Sequence, residues 1–401
     1  MPDRPPRILW YTDTLGDVNG VSRFVRNMAD QALVRRCEVT VVTSTSFAVP
    51  DQANIINLAP VWAAKMPKYE QLEIVLPPVF RMLRHAKGSR PDLIHVSTPG
   101  PVGLIGLLAA RRLRVPLIGT YHTDFPAYID RLFDDDACTA LCTRAMRSFY
   151  GRCRVVISRS QSFIEPIRRL GIAAERIAVL RAGIDLESFG PGFRDESIWE
   201  RVGAGAGGDA VVRVLYVGRV SVEKNLRLLE RAWSRVHAAA GRLGVAADLI
   251  VVGDGPYLAE MKDRLAGMRA HFLGFRHGQE LASLYASSDL FVFPSTTDTL
   301  GQSVMEAQAS SLPAIVSGRG GPRTIVSHGE TGLVVDSERE SDWADAVLSL
   351  IADPSRRARF AREAAGRMAG RGIAASFLDF MRICERAVGR NGPAPPGDMA
   401  G

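Results

Sequence analysis

Short β-branched runs alternate with helix-period segments along this chain, and the alternation happens twice. RILWYT, EVTVVTS, DLIHVS, PLIGTYH, RVVIS and RIAVL read as buried strands, with GVSRFVRNMADQALVR, PVGLIGLLAARRL, TALCTRAMRSFY and QSFIEPIRRL as helices between them. Strands separated by helices are joined by crossovers, so they run parallel, and the class is α/β with a doubly wound sheet. The pattern breaks at LESFGPGFRDESIWERVGAGAGGDA, residues 186–210, whose glycine and charge suit an interdomain linker. It restarts with VVRVLYVG, ADLIVVGDG, HFLGF, LFVFPS, PAIVSG and GLVV, and after about residue 340 only helical segments follow. Two similar units in tandem are expected: a domain over 1–187, a linker over 188–210, a second domain over 211–373, a helix over 374–390 that crosses back to the first domain, and a disordered tail over 391–401. A length of 401 residues is ample for two cores.

Charge divides the halves. Residues 1–190 hold 25 Lys+Arg against 18 Asp+Glu, whereas residues 191–401 hold 25 of each, so the net charge of +7 lies in the first half. Its clusters include Arg81, Arg84, Lys87 and Arg90, then Arg111, Arg112 and Arg114, then Arg144, Arg147, Arg152 and Arg154. Such a face suits an anionic membrane surface, or it is simply solvated. Nucleic acid is not expected as a partner, because the clusters lack interleaved aromatics for base stacking. The apolar stretch LEIVLPPVFRML, residues 72–83, is either core or a membrane-facing element. The five cysteines form no CxxC pair, which excludes a zinc ribbon, and they are expected as buried small hydrophobes. The opening MPDRPPRILWYTD lacks the long apolar segment of a signal peptide, and VGLIGLLAA is about half a membrane span. The expected location is cytoplasmic, with the inner face of the cytoplasmic membrane as a peripheral surface.

Several loops carry chemistry. In TDTLGDVNGVSR, Gly20 at a helix start leaves free backbone N–H groups suited to phosphate, or marks an ordinary turn. No GxGxxG follows the first strand, which disfavours a dehydrogenase. In GTYHTDFPAY, His122 ends a strand, where its imidazole can meet a sugar hydroxyl, and Asp124 can orient it or meet an acceptor hydroxyl. YVGRVSVEKNL places Arg219 and Lys224 so that two cations can converge on a diphosphate. Phe275, Arg276 and His277 in HFLGFRHGQEL can flank a nucleobase. In STTDTLGQSVMEAQASSLP, Asp298 belongs to a loop and Glu306 to the helix that follows, so the two carboxylates need not share a target. The only acidic triplet, Asp134 to Asp136, reads as a solvated loop, so no metal is expected.

In their order, the segments VNGVSR, PDLIHVSTPGPVG, GTYHTDFPAY, YVGRVSVEKNL, GDGP, FLGFRHGQELASLYASSDLFVFPS, TDTLGQSVMEAQASSLP and GGPRTIVSHGETGLVV resemble the retaining glycosyltransferases of family 4. The resemblance covers nearly the whole chain, and TPGP and YHTDFP are similar to the glycolipid branch with its mannosyl-, glucosyl- and sulfoquinovosyltransferases. It implies the GT-B architecture: two facing Rossmann-like domains, an interdomain cleft and C-terminal helices, with the acceptor on the first domain and the nucleotide-sugar donor on the second. It further implies that Gly20, Arg219 and Lys224 meet the donor diphosphate and that Glu306 binds the ribose. His122 and Asp298 are the implied catalytic pair at the sugar, and Gly301, Gln302 and Ser303 offer backbone contacts to sugar or phosphate. Three positions depart from the family pattern: Asp298 stands for Glu, Leu300 for Phe and Ser311 for Gly.

The implied reaction moves a hexose from a nucleotide diphosphate sugar, of the GDP-mannose or UDP-glucose type, to a hydroxyl of a lipid or lipid-linked glycan. Configuration is retained and no cofactor is needed. The alternatives are a soluble enzyme of the same architecture acting on a glucan or small molecule, and a non-catalytic nucleotide or nucleic-acid binder.

Overall fold

The computed structural model describes residues 4–16, 20–66, 69–133, 135–204, 211–242, 244–298 and 300–389. They fall into two compact units, one of Met1–Ala182 with Ile373–Gly401 and one of Gly183–Gly372.

In the first unit the strands are β1 Ile8–Tyr11, β2 Val39–Thr43, β3 Ile55–Asn57, β4 Trp62–Met66, β5 Tyr69–Leu76, β6 Leu93–Val96, β7 Leu117–Tyr121, β8 Val155–Ser158 and β9 Ile177–Val179. Seven of them form one sheet in the order β3, β2, β1, β6, β7, β8, β9. All its neighbours pair parallel. Every residue of β1, β6 and β7 is buried, which is the signature of a sheet covered by helices on both faces. The antiparallel hairpin of β4 and β5 stands outside this sheet and has no counterpart in the sequence reading.

The second unit holds β10 Val211–Val217, β11 Ala246–Val252, β12 Ala270–Gly274, β13 Leu290–Phe293, β14 Ala314–Ser317 and β15 Gly332–Val335. They form a second parallel sheet in the order β12, β11, β10, β13, β14, β15. Two α/β units with doubly wound parallel sheets are therefore what the alternation produces.

Three readings need correction. Residues 188–204, marked by composition as linker, fold onto the second unit. Ile198 and Trp199 are buried, Arg213 stacks 4.7 Å above the Trp199 ring, and the Asp195 N–H bonds Ser287 Oγ at 2.8 Å. A bulky indole in a glycine-rich segment has enough apolar surface to anchor it. Asp135 is solvated but is a helix cap rather than a loop residue, its carboxylate accepting the Cys138 N–H at 2.8 Å at the start of the helix Asp136–Tyr150, while Asp134 lies outside the described residues. Of the cysteines, Cys153 and Cys384 are buried but Cys138 is exposed. The tail 391–401 lies outside the described residues.

The helix Ile373–Ala387 belongs to the first unit, where Phe377, Phe380 and Cys384 join Trp10, Phe24 and Met28 in one apolar cluster. Inside that cluster sits His95 of β6. Its ring lies 4.1 Å from Trp10 and 5.3 Å from Phe380, and its Nε2 is 2.7 Å from Thr120 Oγ1. Nδ1 has no partner among the described residues, and burial pushes the pKa down to about 3. Below the ordinary value of 6.5 the unfolded chain takes up a proton that the folded one refuses, so stability falls as pH drops from there towards about 3. The expected cost is at most about 1.4 kcal/mol per pH unit. Urea unfolding at about pH 7 and about pH 5, followed by tryptophan fluorescence, should show a shallower loss in His95→Gln than in the wild type.

Candidate active site

In an open parallel sheet the order of strand addition reverses at one strand, and the loops leaving the carboxyl ends on either side diverge to open a crevice. In the second unit that reversal lies between β10 and β13. The loop after β10 carries Arg219 and Lys224, and the loop after β13 carries Asp298. Lys224 Nζ stands 2.8 and 2.9 Å from the two carboxylate oxygens of Asp298, with both side chains about one-fifth exposed. The Thr297 hydroxyl donates to the Glu223 carbonyl at 3.2 Å, a second tie between the loops. Arg219 is exposed and makes no ion pair among the described residues.

Glycines allow the loops to approach. The Gly218 N–H bonds the Val252 carbonyl and the Val220 N–H bonds the Asp254 carbonyl, both at 3.0 Å. A Cβ on Gly253 would stand 1.9 Å from the Gly218 carbonyl oxygen, and one on Gly255 would stand 2.3 Å from that of Val220. GDGP is thus a backbone-to-backbone contact that holds the Arg219 loop in place.

Gly301 caps the helix Gln302–Ala309 in the left-handed region at φ +78, and a Cβ there would meet Pro322 Cγ at 2.9 Å. Gln302 and Ser303 follow in its first turn, where N–H groups lack intrahelical acceptors. Glu306, one turn further in, is buried and accepts the Tyr285 hydroxyl at 3.0 Å. The two carboxylates of this segment therefore have different partners, Lys224 for Asp298 and Tyr285 for Glu306. Phe275 is exposed, its ring 6.0 Å from that of His277, and Arg276 Nε lies 3.1 Å from Glu280. This loop follows β12, the edge strand, and so stands two strands from the reversal.

In the first unit the reversal lies between β1 and β6. Gly20 opens the helix Gly20–Val34 with open space at its α-carbon. The neighbouring Asn19 lies outside the described residues. Phe24, one turn on, meets the His122 ring edge-on at 5.6 Å, so Gly20 and His122 belong to one neighbourhood. His122 Nε2 is buried and has no partner among the described residues. Burial, and then the Arg159 charge, hold its pKa well below the usual imidazole value, so the ring is neutral near pH 7. Asp124 does not orient it. That carboxylate accepts from the Tyr121 hydroxyl at 3.0 Å and the Ala127 N–H at 3.3 Å, which caps a helix.

Two residues escaped the sequence reading. Arg159, just past β8, lays its guanidinium 4.1 Å above the Phe24 ring, and its Nε is buried without a partner among the described residues. The signal was a cation at a strand end, which is too common to single out. Asp13 accepts the N–H groups of Val102 at 2.7 Å and Gly103 at 3.3 Å, filling the N-terminus of the helix Pro101–Leu113 with a carboxylate. A Cβ on Gly100 would lie 2.6 Å from Asp13 Cγ, and one on Gly103 would lie 1.8 Å from the Thr98 carbonyl oxygen, which explains both glycines of TPGPVG.

Comparison with known proteins agrees with this geometry. Residues 18–188 match the family described as Glycosyltransferase Family 4, and residues 211–353 match Glycosyl transferases group 1. A GDP-mannose-dependent alpha-mannosyltransferase of Mycobacterium tuberculosis is 32% identical over 87% of this chain and 88% of its own. A sulfoquinovosyl transferase of Arabidopsis thaliana is 30% identical over 82% of this chain, which spans 62% of that relative's length. The crystal structure of HepE from Anabaena in complex with UDP aligns with a TM-score of 0.74 at 20% identity, covering 95% of this chain and 100% of that one. The fold is GT-B.

The backbone at two positions predicts opposite signs. Gly301→Ala should lower stability by about 1–3 kcal/mol, because alanine strains the left-handed cap and meets Pro322. Ser311, where the family pattern has glycine, sits at φ +61, so Ser311→Gly should leave stability unchanged or raise it by about 1 kcal/mol. Urea midpoints that move the other way would contradict the described loop.

Proposed function

This chain belongs to the family-4 glycosyltransferases, and we propose that it moves a hexose from a nucleotide diphosphate sugar to a hydroxyl of a lipid or lipid-linked glycan, with retention of configuration and without a metal. The donor is of the GDP-mannose or UDP-glucose type. The reading is carried by the ion pair of Lys224 and Asp298 at the carboxyl ends of β10 and β13, with Arg219 in the same loop as Lys224.

Breaking a nucleotide-sugar bond leaves an electron-poor sugar and a diphosphate, so cations belong at the phosphate and polar groups at the sugar. Lysine has three N–H donors. Asp298 takes two of them and thereby fixes the ammonium, while one remains for a phosphate oxygen. Arg219 adds a planar fork that can grip the same group bidentately. These two cations supply the charge that a divalent ion supplies in other enzymes. The capped N-terminus at Gln302 and Ser303 offers backbone N–H groups to sugar or phosphate oxygens. Asp298, with its oxygens held by Lys224, contacts the transferred sugar, and Glu306 takes the ribose. Phe275, Arg276 and His277 border the base. On the first unit, the backbone of Gly20 approaches an oxygen of the donor. A neutral His122 can accept a hydrogen bond from a sugar hydroxyl or donate one to it, and it adds no positive charge where the sugar itself becomes positive.

A lipid acceptor is supported by the surface of the first unit. Val61, Trp62, Ile74, Leu76 and Phe80 are exposed on the β4 and β5 hairpin and the helix Val79–Ser89. Phe80 is 86% exposed, which sets this stretch apart from core. Arg81, Arg84 and Lys87 lie exposed on the same helix, so apolar and basic groups are presented together, as an anionic bilayer surface requires. No described helix is long and apolar enough to cross a membrane. The reading places the enzyme as a peripheral protein on the cytoplasmic face of the membrane.

Transfer and hydrolysis assays with a panel of nucleotide sugars test the chemistry. His122→Ala and Lys224→Ala should each lower turnover by about 100-fold or more while both proteins stay folded. Full activity in both would defeat the assignment. In flotation with phosphatidylglycerol vesicles at low salt the wild type should rise with the lipid, and the double variant Trp62→Ser with Phe80→Ser should stay behind. Absence of wild-type binding would remove the membrane from the proposal.

A further inference from the structure

At the amino ends of the first sheet, opposite to Gly20 and His122, lies a charge that sugar transfer leaves unused. Around β1 and β6 the arginines are neutralised: Arg4 pairs with Asp92 at 3.0 Å, and Arg7 lies 3.8 Å from Glu38 and 3.9 Å from Asp92. Along the same edge, at β7, β8 and β9, the balance is different. Arg111, Arg114, Arg152, Arg154 and Arg176 line one cavity of about 550 Å3. None of the five makes an ion pair with a carboxylate among the described residues. The helices Pro101–Leu113 and Asp136–Tyr150 end here, and each C-terminus supplies about half a negative charge, far short of five positive ones.

The cavity is built, not only crowded. Arg176 is held in place by the carbonyls of Gly151, at 2.9 Å, and Cys153. Arg152 is tied to Ser148 Oγ at 2.5 Å. Arg114 occupies the left-handed cap of its helix at φ +56, where glycine is the default residue, so a cation stands in a conformation that disfavours any side chain. Leu107 and the buried Cys153 form part of an apolar floor. Low dielectric beneath a set of guanidinium groups strengthens their hold on a counter-ion.

We propose that this cavity binds an anion carrying two or more phosphate groups, at a site separate from sugar transfer. Guanidinium forks bind phosphate oxygens in pairs, and the volume falls within the range of about 300–1,000 Å3 typical of ligand pockets, well beyond the needs of a single phosphate. Such a group is found on a soluble nucleotide or polyphosphate and, as neighbouring headgroups, on an anionic lipid surface. The shared chemistry is phosphate.

The test uses the full chain carrying Arg219→Ala, Lys224→Ala, Trp62→Ser and Phe80→Ser, so that neither the donor site nor the membrane-facing patch proposed above contributes. Inorganic pyrophosphate is titrated by calorimetry, and phosphatidylglycerol vesicles are used in flotation. Each measurement is repeated with Arg114→Gly, with Arg154→Ser and with both. Glycine relieves the backbone at position 114, and the Arg154 side chain makes no bond among the described residues, so thermal midpoints should stay level or rise. Binding of pyrophosphate identifies a soluble ligand and binding of vesicles alone identifies a headgroup. In either case the double variant should bind at least about tenfold more weakly. Restored to the otherwise unaltered chain, the same two changes should leave transfer from a soluble donor intact. If neither probe binds, or the double variant binds as well as its parent, the site does not exist.

Discussion

Both sheets reverse their strand order at a central strand, β1 in one unit and β10 in the other, and each reversal leaves the ends of two neighbouring strands uncovered by a crossover helix. The chain must satisfy exposed backbone and place charge there without closing the crevice. It does so in two ways. In the first unit Asp13 sits on the N-terminus of the helix Pro101–Leu113, so that helix has no N-terminal site left for an external anion. The neighbouring helix Gly20–Val34 has no acidic residue in its first turn. In the second unit the carboxylate is Asp298, and it neutralises a lysine instead of a helix end. A carboxylate therefore lies at each crevice, on a helix end in one unit and on a lysine in the other.

These arrangements depend on close backbone approach, which is why the glycines matter. Gly253 and Gly255 press against carbonyl oxygens of the Arg219 loop, and Gly103 presses against that of Thr98. A methyl group at any of these positions would push a loop away from the strand ends it serves. Motifs such as GDGP and TPGP record packing as much as chemistry, and their residues are placed by what lies beside them rather than by a bound group.

The sheet class and the tandem units were legible because parallel strands leave unbroken β-branched runs, such as LIVV in β11, and crossover helices leave a 3.6-residue period. The placement of the candidate residues after the strands was legible too, since strand ends can be counted off from the runs. What stayed hidden was partnership. Lys224 and Asp298 are 74 residues apart, and Asp13 and Val102 are 89 apart. No local period links such pairs, so neither partner can be named from its own segment. Trp199 was hidden for the opposite reason: its surroundings are rich in glycine and charge, and composition averaged over a segment conceals one anchoring side chain. The hairpin of β4 and β5 was hidden because the basic and apolar residues around it resemble either a core strand or a surface element.

The pairing of Lys224 with Asp298 also bears on why an aspartate serves where the family pattern has glutamate. The carboxylate reaches the ammonium with both oxygens, at 2.8 and 2.9 Å, from a loop whose backbone is itself held by the bond from the Gly321 N–H to the Asp298 carbonyl at 2.7 Å. With the backbone fixed in this way, an extra methylene would either carry the oxygens past the ammonium or fold the side chain back and cost rotamer freedom. Shortening the acid keeps both contacts and holds the lysine as one half of a neutral pair. On the proposed function, a diphosphate arriving here would meet a net charge near +1, from Arg219, rather than +2. Attraction is weaker at long range, but the ammonium is already oriented, and little of its entropy remains to be lost when the phosphate binds.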